Sequence, residues 1–258
     1  MMKKILFVIA RYNDYRQEIF DEIISPRNKL YCEKHGYRYV EIRNNHKLPL
    51  FSRNPDVTWC KFTIVKELID NNIVNDGDII THLDADIYIY NLEKSLVSEK
   101  SFTYAIDTGN THCMGWYSLI INEWSKKMIH TLLDEKRHDK MSSEFVYHDG
   151  LNSNFSYMYQ GKEQGAWYVM AGIKCHSNTP FNQLPNNGWH SYVTDNTVYS
   201  LEELYKNVEI FPLEYNITEL EGESDCRWNI YKWTRPKNEA VLRHFAGGQN
   251  WNNIKNWI

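Results

Sequence analysis

The first 42 residues alternate between apolar runs and helical patterns, and this order restricts the possible folds more than any other feature of the sequence. Residues 3–10 form a continuous apolar run that is typical of a strand buried on both faces. Residues 15–24 place apolar side chains at helical spacing, Pro26 is expected to interrupt that helix, and Gly36 is expected to end a second short helix. Residues 37–42 then form another strand. A strand–helix–strand order predicts a parallel pair joined by a right-handed crossover.

The same alternation continues through the next third of the chain and then weakens. Apolar strands are predicted at 79–83, 102–106 and 117–122, and helices at 58–71, 123–135 and 163–171. From residue 173 onward the pattern is less regular. We find no internal repeat and no linker in 258 residues, so the sequence predicts one α/β domain with a mostly parallel central sheet flanked by helices.

Composition and charge exclude several classes of protein. The net charge of −4 gives no reason to expect a nucleic-acid partner. The five cysteines are scattered without a CxxC pair, which favours a reducing compartment over a zinc ribbon. The apolar run that ends at Arg11 is shorter than the roughly 7–15 residues of a signal-peptide core. No apolar stretch approaches the roughly 20 residues of a membrane span. We therefore expect a cytoplasmic protein.

The motif with the clearest chemistry is Asp84-Ala85-Asp86, at the end of the strand predicted over 79–83. In open α/β sheets this edge is where ligands bind. Side chains alternate along an extended chain, so Asp84 and Asp86 are predicted to point the same way. Two such carboxylates repel each other unless a cation lies between them, and oxygen ligands suit Mg²⁺ or Mn²⁺. The alternative is a merely polar strand exit, but the apolar run 87–90 that follows makes a surface position harder to explain.

At these residues the sequence resembles the DxD region of GT-A glycosyltransferases. Within them it is most similar to the galactosyl/xylosyl transferases of yeast mannan and plant xyloglucan synthesis, glycosyltransferase family 34. Further segments resemble that family in the same order along the chain, although the arginine of its R-N-x-x-W-S motif is missing here. These segments are Thr81–Asn91, Tyr31–Tyr37, Trp59–Lys61, Leu119–Lys126, Glu163-Gln164 and His244–Gly247.

The resemblance implies a metal-dependent hexosyl- or pentosyltransferase whose donor is a nucleotide sugar, most simply a UDP-sugar. It implies a nucleotide-sugar-binding half at 1–122 and a half that binds a glycan, glycolipid or protein acceptor at 123–258. The implied metal ligands are Asp84, Asp86 and His244, with Mn²⁺ tolerating the imidazole better than Mg²⁺. The implied nucleotide-sugar contacts also include Ala10, Arg11, Tyr12, Lys61, Ala85, Gly247 and Gly248.

The family resemblance also implies retention at the anomeric carbon, and the sequence leaves the mechanism open. A double displacement needs a carboxylate nucleophile, for which Glu163 and Asp149 are the candidates. A front-face mechanism needs neither, and Gln164 would then orient the sugar. Asp107 is a weaker candidate for contacting the donor sugar. Tryptophans of the last third, such as Trp189, are candidates for stacking on an acceptor, although most are expected to be packing residues.

Three other functions compete with this interpretation. A sugar nucleotidyltransferase would need a glycine-rich phosphate loop after the first strand, where Arg11–Asp14 contains no glycine. A non-catalytic carbohydrate-binding relative would not need the two aspartates and His244. A metallohydrolase would need a second ligand cluster such as HExxH, which the sequence lacks. Eukaryotic relatives are typically Golgi proteins with a membrane anchor. Because no stretch of this sequence is predicted to be such an anchor, we expect a bacterial or viral source.

Overall fold

The computed structural model describes residues 2–52, 57–107, 112–137, 163–173, 185–218 and 237–245, together with residue 254. Short 3-10 helices lie at Val57–Trp59, Pro185–Gly188, Leu213–Tyr215 and Lys237–Glu239. The strands are β1 (Lys4–Ile9), β2 (Arg38–Ile42), β3 (Ile79–Leu83), β4 (Ile87–Ile89), β5 (Phe102–Ile106), β6 (His112–Ile120), β7 (Val208–Phe211) and β8 (Leu242–His244). The helices are α1 (Tyr15–Ile19), α2 (Ser25–His35), α3 (Cys60–Asp70), α4 (Glu123–Leu132), α5 (Glu163–Ala171) and α6 (Leu201–Asn207).

Six strands form the central sheet in the order β2-β1-β3-β6-β5-β7. The pairs β2–β1, β1–β3 and β5–β7 are parallel, and β6 runs antiparallel to both β3 and β5. Five of the six strands therefore share one direction. The predicted fold class, a mostly parallel α/β sheet flanked by helices, is confirmed.

Two apolar clusters cover the two faces of this sheet. In β1, Ile5 and Phe7 belong to the cluster that includes side chains of α3, α4 and α5. Leu6 and Val8 point the other way, into the cluster that includes α1, α2 and β4. Burial of each such side chain contributes about 1.5–3 kcal/mol. The continuous apolar run at the start of the chain therefore reflects a strand covered on both faces, as predicted.

The helix that follows β1 is longer than the sequence suggested. We expected Pro26 to interrupt it, but α1 continues through a π-helical turn, Phe20–Ile24, directly into α2. At the end of this turn the Ser25 N–H donates to the Phe20 carbonyl, a five-residue spacing. Pro26 lies in the first turn of α2 and has no N–H to donate to the preceding π-helical turn, and the helix continues past it all the same. Gly36 ends α2 in the left-handed conformation, at φ 69°, as predicted.

Strand β6 is also longer than expected. The prediction placed it at 117–122, whereas the structure has it at His112–Ile120, with a break in its pairing to β5 at Tyr104/Ala105. Its first half carries Met114 and Gly115, which have little strand signal of their own. On one side β5 pairs with this half, Ala105 opposite Cys113 and Ile106 opposite His112, and on the other side the Asp84 N–H donates to the Gly115 carbonyl. These contacts hold the first half of β6 in the sheet.

A second, two-stranded sheet pairs β4 with β8 antiparallel, with Ile87 opposite His244. This pairing brings a segment near the end of the chain beside the segment that follows β3. Among the described residues, no helix is long and apolar enough to cross a membrane.

Candidate functional site

The site is built where β1 and β3 end, on the same edge of the sheet. Because the two strands are parallel neighbours, the residues after Ile9 and those after Leu83 emerge side by side. Asp84 continues the pairing with β6 by one residue, and its backbone N–H donates to the Gly115 carbonyl at 2.7 Å. The first carboxylate is therefore held by the sheet itself.

His244 reaches the same place through the small sheet. It lies at the end of β8, opposite Ile87, and the next residue, Phe245, donates its N–H to the Asp86 carbonyl at 2.8 Å. A second backbone hydrogen bond, from His244 N–H to the Ile217 carbonyl at 2.9 Å, fixes the other side of the strand. The imidazole therefore lies beside a carboxylate 158 positions earlier in the chain because two short strands pair.

The three side chains form a compact group of possible metal ligands. His244 Nε2 is 3.3 Å from Asp86 Oδ1 and 4.0 Å from Asp84 Oδ2. One ligand atom from each residue can be chosen so that all lie within 4.8 Å of one another. The Asp84 side chain is 33% exposed and that of Asp86 19%, whereas His244 is almost covered at 8%. The group is thus open to solvent on its carboxylate side and closed on its imidazole side.

The charged side chains in and around this group shift one another's pKa values. Burial opposes the charged form of His244, but the Asp86 carboxylate outweighs it and raises the pKa of the imidazole well above its ordinary value. Burial also opposes the charge of Asp84, and the Lys61 ammonium and the His82 hydrogen bond outweigh it and lower the pKa of that carboxyl. The shift of His244 reflects the negative charge that Asp86 places beside it, whereas the shift of Asp84 reflects the positive charge of Lys61 and the hydrogen bond from His82.

The buried ammonium of Lys61 contacts the group at Asp84. Its side chain is only 5% exposed, and its ammonium lies 3.3 Å from Asp84 Oδ1, 3.0 Å from Glu163 Oε1 and 2.8 Å from the Met114 carbonyl. Despite the cost of burial, the two carboxylates raise the pKa of the ammonium. An ammonium has three N–H donors, and here all three have protein acceptors. Lys61 thus positions Asp84, and the nucleotide-sugar contact that the resemblance implies for it stays a prediction.

Glu163 and Gln164 are the first two residues of α5, and Glu163 contacts the Lys61 ammonium. Glu163 is buried, with one oxygen on Lys61, while its Oε2 has no hydrogen-bond partner among the described residues. Gln164 accepts from the Met114 N–H at 2.9 Å and donates to the Tyr168 hydroxyl at 3.1 Å. Glu163 is thus linked to Asp84 through the Lys61 ammonium, which lies between the two carboxylates. Gln164 lies beside it on α5 and is bound to the backbone of β6.

His82 is a residue of the site that the sequence analysis missed. It precedes Asp84 by two positions on β3 and is buried between the rings of Phe7 and Tyr117. Its Nε2 lies 2.9 Å from Asp84 Oδ1, and because a carboxylate only accepts, the imidazole donates. Burial lowers the pKa of His82, which keeps the ring neutral. The sequence did hold a signal for it: side chains alternate along a strand, so His82 and Asp84, two positions apart, are expected on the same face.

The other predicted nucleotide contacts lie along the same edge. Ala10 is buried and donates its N–H to the Ile42 carbonyl, and Ala85 is also buried. Arg11 is exposed, with its guanidinium near the Asn44 carbonyl. Burial, followed by the charges of Asp86 and Asp84, raises the pKa of the Tyr12 hydroxyl. Tyr12 therefore lies near enough to both aspartates for their charges to act on its hydroxyl.

Several predicted residues are not part of this group. Asp107 directly follows β5 and is half-buried. Trp189 is 1% exposed and stacks edge-on against Tyr205, so it is a packing residue. Asp149, Gly247 and Gly248 lie outside the described residues.

Comparison with known proteins gives a fold and no family. No protein-family model matches the chain. A curated protein, the ATP synthase subunit delta of Rickettsia canadensis (strain McKiel), is 30% identical to it over 99 residues, which are 35% of this chain and 50% of that protein. The chain thus spans about half the length of this relative, and the match does not establish a shared family.

Solved structures match over far more of the chain. A glycosyltransferase involved in glycosylation of the major capsid of PBCV-1 superposes with a TM-score of 0.50 over 98% of both chains, at 10% identity. The chain has the GT-A glycosyltransferase fold. Weaker similarity extends to the galactosyltransferase LgtC, with a TM-score of 0.41 at 13% identity over 95% of this chain and 87% of that one. A Drosophila β-1,4-galactosyltransferase 7, solved with manganese, UDP-Gal and xylobiose, has a TM-score of 0.30 at 10% identity over 51% and 52%.

Proposed function

We propose that the protein is a metal-dependent glycosyltransferase that moves a hexose or pentose from a nucleotide sugar, most simply a UDP-sugar, to a hydroxyl group of an acceptor. The observation that carries this proposal is the group formed by Asp84, Asp86 and His244. It lies at the carboxyl edge of the central sheet, where open α/β folds bind their ligands. The GT-A fold makes glycosyl transfer the reaction that best fits a cation at this edge.

The donor atoms present fit a divalent cation. Two carboxylates and one imidazole are oxygen and nitrogen ligands, and Mn²⁺ accepts such a mixed set more readily than Mg²⁺. The carboxylate side is open, which leaves room for the oxygens of a diphosphate. A bound cation would supply positive charge against the diphosphate leaving group as the bond from sugar to phosphate breaks.

The chain's own residues then have separate tasks. Asp84 and Asp86 would hold the cation together with His244. Lys61 and His82 keep the Asp84 carboxylate ionised and fix its orientation. Glu163 and Gln164 are proposed to face the donor sugar, because Glu163 contacts Lys61 and Gln164 accepts from the N–H of Met114, whose carbonyl also contacts Lys61. Arg11, Tyr12 and Ala10 are proposed to line the nucleotide, with Gly247 and Gly248 against its phosphates.

Two finer features belong to the same proposal. We propose transfer with retention, in which Glu163 or Asp149 is the nucleophile or, in a front-face reaction, Gln164 orients the sugar. We also propose that residues 1–122 bind the donor and 123–258 the acceptor, a glycan, glycolipid or protein. The similarity of the sequence motifs to family 34 supports an enzyme that builds such glycans.

A carbohydrate-binding protein that has kept the fold without its chemistry is the second candidate. One observation favours it: Trp, Tyr and Phe are 14% of the chain, and aromatic faces stack on sugars. It does not explain why two carboxylates and an imidazole converge at the ligand edge of the sheet.

Thermal unfolding with a panel of nucleotide sugars, each with and without Mn²⁺, tests the proposal. A ligand that binds only the folded state raises the unfolding midpoint by mass action. We expect a rise that requires both Mn²⁺ and one nucleotide sugar and that is absent in Asp86→Asn. Asp78→Asn, at the other end of β3, is the matched control and should retain the rise. A rise that ignores Mn²⁺ and survives Asp86→Asn would contradict the proposal.

A further inference from the structure

At Gly115, the space that a side chain would take is occupied by a residue of the site. A Cβ built on it would lie 2.4 Å from His244 Cε1, 2.8 Å from Nδ1 and 3.2 Å from Nε2. Carbon atoms in contact are normally about 3.5–4.0 Å apart, so a methyl group and the ring cannot both be present in these positions. The imidazole therefore lies directly against the backbone of β6 at Gly115.

The backbone of Gly115 does not itself require glycine. Its φ is not positive, unlike those of Gly36, Gly77, Gly172 and Gly188, so alanine can adopt the same conformation. In a strand interior alanine would ordinarily be the better residue, because glycine loses more conformational freedom on folding. The contact with His244 is thus what opposes a side chain at this position.

The ring has little room to move away from Gly115. Its strand is fixed by the pairing with Ile87 and by the hydrogen bond to the Ile217 carbonyl. Its Nδ1 edge meets the Cys113 thiol, whose Sγ is 3.9 Å away and also accepts from the Gly115 N–H at 3.4 Å. Cys113 and Gly115, two positions apart on β6, therefore both lie against the ring, and its Nε2 lies toward the two carboxylates.

We infer that Gly115 is a positioning residue for the metal site: because it has no Cβ, the His244 ring can lie against β6 with Nε2 directed at Asp84 and Asp86. This inference rests on the proposed function for the identity of the ligand. The same strand residue also holds Asp84, through its carbonyl, so one position fixes both sides of the site. The geometry of bound metal is commonly set by such supporting contacts.

A cycle of four metal-free proteins tests the contact independently of catalysis. Gly115→Ala is expected to lower the unfolding midpoint of the native sequence, because Cβ displaces the ring. In a His244→Ala background the same change is expected to leave the midpoint unchanged or raise it, because the ring is gone. An equal fall in both backgrounds would overturn the inference, since alanine would then be disturbing the strand rather than the histidine.

Binding of Mn²⁺ alone, measured by the loss of its free electron paramagnetic resonance signal, tests the consequence for the site. Supporting residues of metal sites typically change affinity by about 10–100-fold, and we expect a loss in this range for Gly115→Ala. The double variant should bind no more weakly than His244→Ala. Native affinity in Gly115→Ala would overturn the inference. Failure of the unmodified protein to bind Mn²⁺ would overturn the proposed function and, with it, the role assigned to Gly115, whatever the cycle shows.

Discussion

The two ends of strand β3 both carry aspartate, and the two ends differ in what surrounds the carboxylates. Asp78 precedes the strand, is 4% exposed, and accepts the Lys3 N–H at 2.7 Å and the Asn75 N–H at 2.9 Å. Asp84 and Asp86 follow the strand, are partly exposed, and face His244 and each other's negative charge. A buried acid with its own backbone donors closes a turn. Acids that converge on an imidazole at a partly exposed edge form a candidate ligand site.

This difference also separates stability from function. The Asp78 carboxylate joins the start of the chain to the turn before β3 and has no open side. The Asp84 end carries two carboxylates, Asp84 beside Lys61 and His82 and Asp86 beside His244, and both are partly exposed to solvent, where a cation can reach them. Substitutions at one end should therefore change folding, and those at the other end should change activity.

The largest expected effect is at the open end. Asp86→Asn removes one charged ligand, and because a bound cation is worth several kcal/mol of transition-state stabilisation, we expect release of nucleotide from the donor to fall by about 10³-fold or more. The unfolding midpoint should change little. Asp78→Asn should keep its activity. If both variants retained activity, or if both lost it together with their fold, the contrast between the two ends would be broken.

The second effect concerns the ammonium beneath the site. Lys61→Met leaves Asp84 and the buried Glu163 without their cation, and breaking a buried pair from one side costs about 3–5 kcal/mol. Urea unfolding measures this loss. Lys66→Met is the matched control on the same helix, where an exposed pair with Asp70 is worth only about 0.2–1 kcal/mol. Equal losses in the two variants would show that the Lys61 contacts do not stabilise the site.

The third effect tests the histidine that orients Asp84. His82→Phe keeps an aromatic ring between Phe7 and Tyr117 but removes the donor to Asp84. We expect Mn²⁺ affinity to fall by about 10-fold, the lower end of the range for supporting residues, with little change in the fold. Titration of Mn²⁺ against both proteins measures it. Unchanged affinity would mean that the sheet alone holds Asp84 in place.

The smallest effect is at the closed end. Burial opposes the charge of Asp78, but the two backbone donors outweigh it and lower its pKa below the ordinary value. A carboxyl whose pKa is lower in the folded state adds stability above its unfolded pKa of about 3.9, and that stability disappears as the pH falls through the lower, folded value. Asp78→Asn should therefore lower the free energy of unfolding by about 1 kcal/mol at pH 7. It should change it by nearly nothing at a pH below the folded pKa of Asp78, and urea unfolding at several pH values measures both.

The sequence predicted the fold wherever apolar spacing alone determines structure. Strand 79–83 and helix 163–171 agree with the structure because their side chains are buried in a regular pattern. It failed at Pro26, because a π-helical turn moves the hydrogen bonds by one residue, and a proline rule that assumes α-helical spacing does not include this. It also missed the first half of β6, which is held by its neighbours rather than by its own residues.

For the site, the sequence indicated Asp84 and Asp86 through the strand before them, and His244 only through the family resemblance. Their convergence depends on the pairing of β4 with β8, which no local pattern encodes. Lys61 was identified through the resemblance as a nucleotide-sugar contact. Its burial against Glu163 and Asp84, which adds a role in holding Asp84, depends on contacts between distant parts of the chain. His82 and Gly115 carry no motif of their own, and only the three-dimensional structure shows their contacts with the ligands.

The most direct test is a titration of Mn²⁺ against the unmodified protein, Asp86→Asn and Asp78→Asn, followed by electron paramagnetic resonance without any sugar. The account predicts one site per chain in the unmodified protein, the same site in Asp78→Asn, and a loss of at least about 10-fold in affinity in Asp86→Asn. Equal binding by all three proteins, or no binding by any of them, would contradict the claim that the carboxyl end of β3 is a metal site.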